Sequence, residues 1–136
     1  MDITTGIDIA ASGMNAQEQR MKIIAQNIAN ADSAATAPGQ DPYRRQQITF
    51  KSVYDSTVGA NVVKVAGVVN DPSEFRRKFD PSHPAADATG YIELPNVNPI
   101  IEAADLQEAS RSYQASLSAM DLLKTMASET IKRMGA

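Results

Sequence analysis

Residues 7–28 read IDIAASGMNAQEQRMKIIAQNI, and within them Ile7, Met14, Met21 and Ile28 return at every seventh position. Ile3, Ala10, Ile24 and Ala31 fill the intervening places of the same stripe, and Gln17 breaks it once. An apolar period of seven held over four repeats belongs to a helix that lays one seam against another helix. Asn15, Glu18, Lys22 and Gln26 occupy the opposite face. Thr5-Gly6-Ile7-Asp8 has the spacing of a capping box, with Asp8 near the positive end of the helix dipole, so the helix is expected over 5–30. At about 1.5 Å per residue this is a rod of roughly 40 Å, longer than any core this chain could wrap around it.

The other end of the chain mirrors the first. Asn98 suits an N-cap and Pro99 a first helical position. From there Leu106, Ala109, Tyr113, Leu117, Met120, Leu123, Ala127, Ile131 and Met134 advance by three or four residues at each step. Glu102, Asp105 and Glu108 come early and Lys132-Arg133 late, which complements the dipole at both ends. The expected rod is about 50 Å long.

All seven prolines lie between Pro38 and Pro99. Because an interior proline costs a helix about 3 kcal/mol, the chain divides into helix, irregular or β-rich middle, and helix. Gln46–Lys51 and Asn61–Val69 are rich in β-branched residues and read as strands, with Gly67 a candidate bulge. Residues 34–42 read as loop, and Asp71-Pro72, Asp80-Pro81 and His83-Pro84 punctuate turns and extended chain. The expected fold is mainly α with a small β insert, its long N- and C-terminal helices pairing as an antiparallel coiled coil. Residues 1–32 plus 98–136 would form a terminal helical domain, with the β-rich and Pro-rich segment 33–97 packing outside it.

Composition explains why such a fold needs company. Ile, Leu, Val and Phe make up 27 of 136 residues, and 21 of the residues behind the 43% hydrophobic content are Ala. That is the lower edge of what builds a compact core. Two paired helices leave the outer flank of each stripe wet, so cover must come from the middle segment or from other copies of the chain. A monomeric hairpin capped by its own β insert is the plainer alternative.

The same counts exclude several functions. A net charge of -3 argues against a protein whose main affinity rests on nucleic-acid phosphate. No Cys and a single His rule out a disulfide scaffold, a thiolate zinc site and cysteine catalysis. There is no run of 18 apolar residues, and Met1-Asp2-Ile3-Thr4 lacks the features of a secretory signal. The expectation is a cytoplasmic chain, or one exported without a cleaved signal peptide.

Candidate chemistry reads mostly as structure. His83, between Pro81 and Pro84, is a turn residue rather than a metal ligand. Arg44-Arg45 and Arg76-Arg77-Lys78 read as solvated or interface charge. Glu102, Asp105 and Glu108 are expected on the solvent side of their helix, where the dipole favours the ionised form and disfavours a general acid. No phosphate loop, dinucleotide fingerprint, nucleophile elbow or paired-His motif is present. No catalytic, metal or cofactor residue is therefore expected, and the chain reads as a non-enzyme. The candidate functional residues are those of the self-assembly seam: Ile7, Met14, Met21, Ile24 and Ile28 at one end, and Leu106, Tyr113, Leu117, Met120, Leu123 and Ile131 at the other.

Ser12-Gly13-Met14-Asn15-Ala16-Gln17-Glu18-Gln19-Arg20-Met21, followed by Gln26-Asn27-Ile28-Ala29-Asn30-Ala31-Asp32-Ser33, resembles the N-terminal signature of the bacterial flagellar axial proteins. Asp71-Pro72-Ser73, Phe75, Asp80-Pro81, His83-Pro84, Gly90-Tyr91-Ile92, Leu94-Pro95-Asn96-Val97-Asn98 and Glu108-Ala109-Ser110-Arg111-Ser112-Tyr113-Gln114-Ala115 extend the resemblance to the proximal-rod family over nearly the whole chain. The family motif residues so marked are Ser12, Gly13, Asn27, Asn30, Asn96 and Asn98. Two departures stand out: residues 34–41 interrupt the usual step to a Gly-Tyr element, replaced here by Pro42-Tyr43-Arg44-Arg45, and Ala85 stands where an acidic residue is commoner.

The resemblance implies a subunit of the flagellar basal-body rod, the periplasm-crossing drive shaft that transmits torque and surrounds the export channel. It implies terminal helices lining that channel, export through the type III apparatus without processing, and no cofactor. Implied partners are copies of itself, other rod proteins, the rod adaptor and through it the membrane ring, and transiently the export apparatus and the muramidase-type rod cap. A cytoplasmic helical-hairpin adaptor or export chaperone is the reading from another class.

Overall fold

The structure is a computed structural model that describes residues 2–135. In chain order it contains α1 (Ile3–Ala29), β1 (Gln46–Asp55), β2 (Ala60–Asn70), β3 (Arg76–Phe79), β4 (Tyr91–Leu94) and α2 (Pro99–Met134). Two terminal helices enclosing a small β middle agree with the expected layout. α2 starts as its sequence implies: the Ile100 N–H donates to Asn98 Oδ1 at 3.1 Å, the Glu102 N–H donates to the Asn98 carbonyl at 3.0 Å, and Lys132 and Arg133 fall in the last turn.

The start of α1 differs from expectation. The helix begins at Ile3, and the Gly6 N–H already donates to the Asp2 carbonyl at 3.1 Å. Thr5 and Asp8 are therefore inside the helix and do not form a capping box, and the first turn holds no acidic residue. Capping-box spacing recurs by chance in a polar-rich helix start, and the apolar Ile3 carries the periodic face to two residues before Thr5.

The strands run longer than the β-branched clusters that mark them. β1 reaches Asp55 and β2 spans Ala60–Asn70, the two pairing as a two-stranded sheet. Gly59, with φ of 74°, supplies the left-handed backbone of the turn between them. β3 and β4 form a second, antiparallel pair in the register Arg76↔Leu94, Arg77↔Glu93, Lys78↔Ile92 and Phe79↔Tyr91. Read only as turns and extended chain, 76–79 and 91–94 are each only four residues long, and Arg76-Arg77-Lys78 carries no β-branched residue.

The chain forms two compact units. The first comprises residues 1–21, 48–67 and 107–136. Here α1 meets α2 through its small residues: a Cβ built on Gly6 would lie 3.1 Å from Leu123 Cδ1, and one on Gly13 would lie 3.3 Å from Ser116 Oγ. Arg20 Nη2 faces Glu108 Oε2 at 3.7 Å, so advancing along α1 meets receding positions of α2. The second unit comprises residues 22–47 and 68–106. Its core is small: Ile24, Ala31, Ile92, Pro95 and Val97 are buried together with two polar residues, Asn27 and Glu102.

Candidate functional site

Each motif residue marked in the sequence occupies a junction. Ser12 Oγ donates to the Ile9 carbonyl at 2.7 Å and accepts the Val63 N–H at 3.2 Å, tying β2 to the flank of α1. Gly13 gives the close approach to Ser116. Asn30 closes α1, its Nδ2 donating to the Gln26 carbonyl at 2.9 Å and its Oδ1 accepting from Ser33 Oγ at 3.2 Å. Asn98 caps α2. Asn96 Nδ2 donates to the Asp71 carbonyl at 3.1 Å and to Ser73 Oγ at 2.9 Å, while its Oδ1 accepts the Arg45 N–H at 2.8 Å.

Asn27 is the centre of the second unit. Its Nδ2 donates to the Gln46 carbonyl at 2.8 Å and its Oδ1 accepts the Gln46 N–H at 3.0 Å, so the side chain pairs with the first residue of β1 as a neighbouring strand would. The Tyr43 hydroxyl also donates to Oδ1, at 2.8 Å, and Nδ2 donates to Glu102 Oε2 at 3.1 Å. The other Glu102 oxygen accepts from Arg45 Nε. Arg45 Nη1 lies 3.1 Å from Asp71 Oδ2, and Nη2 lies 3.8 Å from Asp105 Oδ2.

These contacts correct two expectations. Glu102 is 0% exposed and does not sit on the solvent side of α2; Asp105 is half-buried beside Arg45, and only Glu108 is exposed. Arg45 is not a solvated charge, since its side chain is only 18% exposed and is held by carboxylates. Arg44 lies over the Phe75 ring at 4.2 Å and donates to the Asp71 carbonyl at 2.9 Å. Arg76 is half spent on main chain, donating to the Ala31 carbonyl at 2.7 Å and the Pro95 carbonyl at 3.0 Å. Arg77 pairs with Asp87 at 3.2 Å and keeps its exposed position over Tyr91.

The electrostatics follow from the packing. Burial opposes the Arg45 charge, but hydrogen bonds and charges from Glu102 and Asp71 outweigh it and raise its pKa. The Ser73 N–H and hydroxyl, then Arg45, hold Asp71 below the usual carboxylate range against the opposing effect of burial. Burial, reinforced by the Glu102 charge, pushes the Tyr43 phenol up. His83 sits in a turn, its Nδ1 accepting the Ala85 N–H at 3.0 Å. Among the described residues no cluster of His, Cys, Asp or Glu is arranged to hold a metal ion.

The seam residues are unevenly covered. Ile24 is buried; Ile7, Met14, Met21, Ile28, Leu106, Tyr113, Met120 and Leu123 are half-buried; Leu117 is 38% exposed and Ile131 70%. Asn15, Glu18, Lys22 and Gln26 are exposed, as their face requires. In the first unit an apolar groove of about 610 Å³ is lined by Gly6, Ile9, Ala10, Gly13, Val63, Ala115, Ser116, Ala119 and Leu123. Leu122, Met126 and Met134 add further exposed apolar surface to α2.

Comparison with known proteins finds sequence similarity along nearly the whole chain. Residues 7–34 match the family model "Flagella basal body rod protein", and residues 88–133 match "Flagellar basal body rod FlgEFG protein C-terminal". The chain is 43% identical to the flagellar basal-body rod protein FlgC of Agrobacterium fabrum, over 94% of this chain and 92% of that protein. The chain belongs to the FlgC family of flagellar basal-body rod proteins. Within that family it is also 38% identical to FlgC of Yersinia enterocolitica, over 96% of this chain and 97% of the relative. Against FlgC of Borreliella burgdorferi the identity is 35%, over 93% of each chain. The N-terminal match of this FlgC-family chain covers most of α1 and includes Ser12, Gly13, Asn27 and Asn30, and the C-terminal match covers β4 and most of α2 and includes Asn96 and Asn98.

Sequence reasoning did not single out Glu102, Arg45, Tyr43 or Asp71 as site residues in this rod protein. For Glu102 a signal existed. It stands four residues before Leu106 and seven before Ala109, on the buried stripe itself, so a carboxylate there calls for donors from elsewhere.

Proposed function

We propose that this chain is a structural subunit of the flagellar basal-body rod and has no enzymatic activity. The full-length similarity to proteins named flagellar basal-body rod protein FlgC carries that reading. Physical chemistry supports it through the helices: 27 and 36 residues long, they leave Leu117, Leu122, Met126, Ile131 and Met134 in contact with water. At about 25 cal/mol per Å², such surface is covered favourably when neighbouring subunits meet it.

In this reading the terminal segments, 1–32 and 98–136, pair as an antiparallel coiled coil and form the axial core around the export channel. Segment 33–97 packs outward. Ile7, Met14, Met21, Ile24, Ile28, Leu106, Tyr113, Leu117, Met120, Leu123 and Ile131 make the contacts within and between copies. Heterologous contacts that do not close produce an open helical polymer, which suits a drive shaft. Other rod proteins and the rod adaptor would be its standing neighbours, with the membrane ring reached indirectly. The type III export apparatus and the muramidase-type cap would be met transiently, and export would need no cleaved signal peptide. Thinly apolar helices order fully once neighbours cover them, which couples folding to assembly.

A density map of isolated basal bodies tests the proposal directly. The two helices are expected in the wall of the rod; basal bodies with complete rods that lack this chain would refute it. Far-UV circular dichroism of the dilute chain tests the coupling, since a solitary chain showing both helices complete would overturn it.

A further inference from the structure

The amide of Asn27 has no freedom to turn. Gln46 offers it a carbonyl and an N–H together, so Oδ1 must face the N–H and Nδ2 the carbonyl. The remaining Nδ2 hydrogen then requires an acceptor, which is Glu102 Oε2 at 3.1 Å. Arg45 Nε requires another, which is Glu102 Oε1. Two donors fixed by two different segments thus converge on one side chain, and an ionised carboxylate of this length presents the two acceptor oxygens they need. The amide and the carboxylate are removed from water, with Asn27 1% and Glu102 0% exposed, and the Arg45 side chain is 18% exposed.

Such a cluster is a poor source of net stability. Desolvating a guanidinium and a carboxylate costs several kcal/mol, and apolar replacements of similar volume often do as well or better. It is a strong source of discrimination. Sliding α2 by one residue turns position 102 by about 100° and leaves one hydrogen of the buried Asn27 amide and the Arg45 Nε–H without their acceptor, although Asp71 still holds Arg45 Nη1. The apolar contacts of Ile24, Ile92 and Val97 are non-directional and penalise such a slip far less.

We propose that Asn27, Arg45 and Glu102 are positioning residues that act as a register lock. They select one arrangement of the end of α1, the start of β1 and the start of α2, and contribute uniqueness of packing rather than stability. The lock is a property of the single chain and does not depend on the rod reading.

Two variants of the full chain separate selection from stabilisation. Glu102→Gln keeps the shape but offers one acceptor to two donors, and is expected to lower the melting temperature by roughly 5–10 °C. The double variant R45M/E102L removes both charges and leaves Asn27 its Gln46 and Tyr43 partners, with one Nδ2 hydrogen unpaired. It is expected to melt between E102Q and the parent, because an ion pair replaced by apolar groups is close to neutral and only the one amide hydrogen is left unpaired. Its nitrogen–proton NMR spectrum should nevertheless show more than one set of amide resonances, or broadening, for residues 22–47 and 68–106. A double variant that melts as low as E102Q, or fails to fold, would make the cluster a simple stabiliser and overturn the proposal. A single sharp set of resonances at any melting temperature above that of E102Q would overturn it equally.

Discussion

Gly6 and Leu123 approach so closely that a Cβ on the glycine would sit 3.1 Å from Leu123 Cδ1. At this point Leu123 of α2 packs directly onto the glycine backbone of α1, with no side chain of α1 in between. Bulky seam residues such as Ile7 and Met14 stand half-buried. Close approach of this kind trades side-chain volume for backbone proximity.

Substitution at Gly6 measures that trade. Gly6→Ala should gain roughly 0.5–1 kcal/mol of helix propensity while the flexible end of Leu123 gives way, so stability is expected to hold or rise slightly. Gly6→Ile forces the helices apart and should cost about 1–3 kcal/mol. Urea denaturation of the two variants checks the order.

Ile24 and Leu117 both belong to the expected seam but differ in cover, at 6% and 38% exposed. Ile24→Asp buries a charge inside one chain and should lower the stability of the free protein by about 3 kcal/mol or more. Leu117→Asp should change free-chain stability by less than about 1 kcal/mol, since the site is wet. Both are expected to abolish rod incorporation and swimming. Normal motility in the Leu117→Asp strain would remove Leu117 from the seam.

Acid should act through Asp71. Ser73, then Arg45, depress its pKa in the folded chain, so its contribution is present above the ordinary carboxylate value near 3.9 and is lost as pH falls through the lower folded value. The Tyr43 phenol runs the other way: raised by burial and then by Glu102, it contributes fully below pH of about 10 and loses that contribution as pH rises through its folded value. Urea midpoints should therefore fall below pH 4 and above pH 10. Asp71→Asn should flatten the acid limb, and Tyr43→Phe the alkaline one.

Gly90 has φ of 84°, and a Cβ there would lie 2.8 Å from Phe79 Cε2 and 3.2 Å from Pro81 Cβ. Phe79 is already placed, its ring 5.2 Å from that of Tyr91 in an edge-on pair. Gly90→Ala should cost about 1–3 kcal/mol and break the β3–β4 pairing. Loss of cross-strand NMR contacts between Phe79 and Tyr91 is the readout, and their survival would show that the turn can relax.

Much of the layout was legible because it rests on local rules. Proline placement separated the three segments, Asn98-Pro99 marked the start of α2 to the residue, and β-branched clusters found the cores of β1 and β2. The strands 76–79 and 91–94 escaped because Arg-Arg-Lys-Phe has no β signature and is held as a strand by its partner. Arg45 escaped for a related reason. Nothing nearby in the sequence announces that Glu102, 57 positions later, and Asp71, 26 positions later, will meet it.

The sequence by itself determined two long helices, their polar faces and the strand-forming core of the middle, because periodicity, capping and proline geometry act within a few residues. Only the tertiary structure decided which small residues bring the helices of the first unit together, and that Asn27, Arg45 and Glu102 share one buried centre. Those outcomes depend on donors and acceptors far apart in the chain. A carboxylate on a helix looks the same in sequence whether it faces water or two buried donors, and the fold alone supplies the donors.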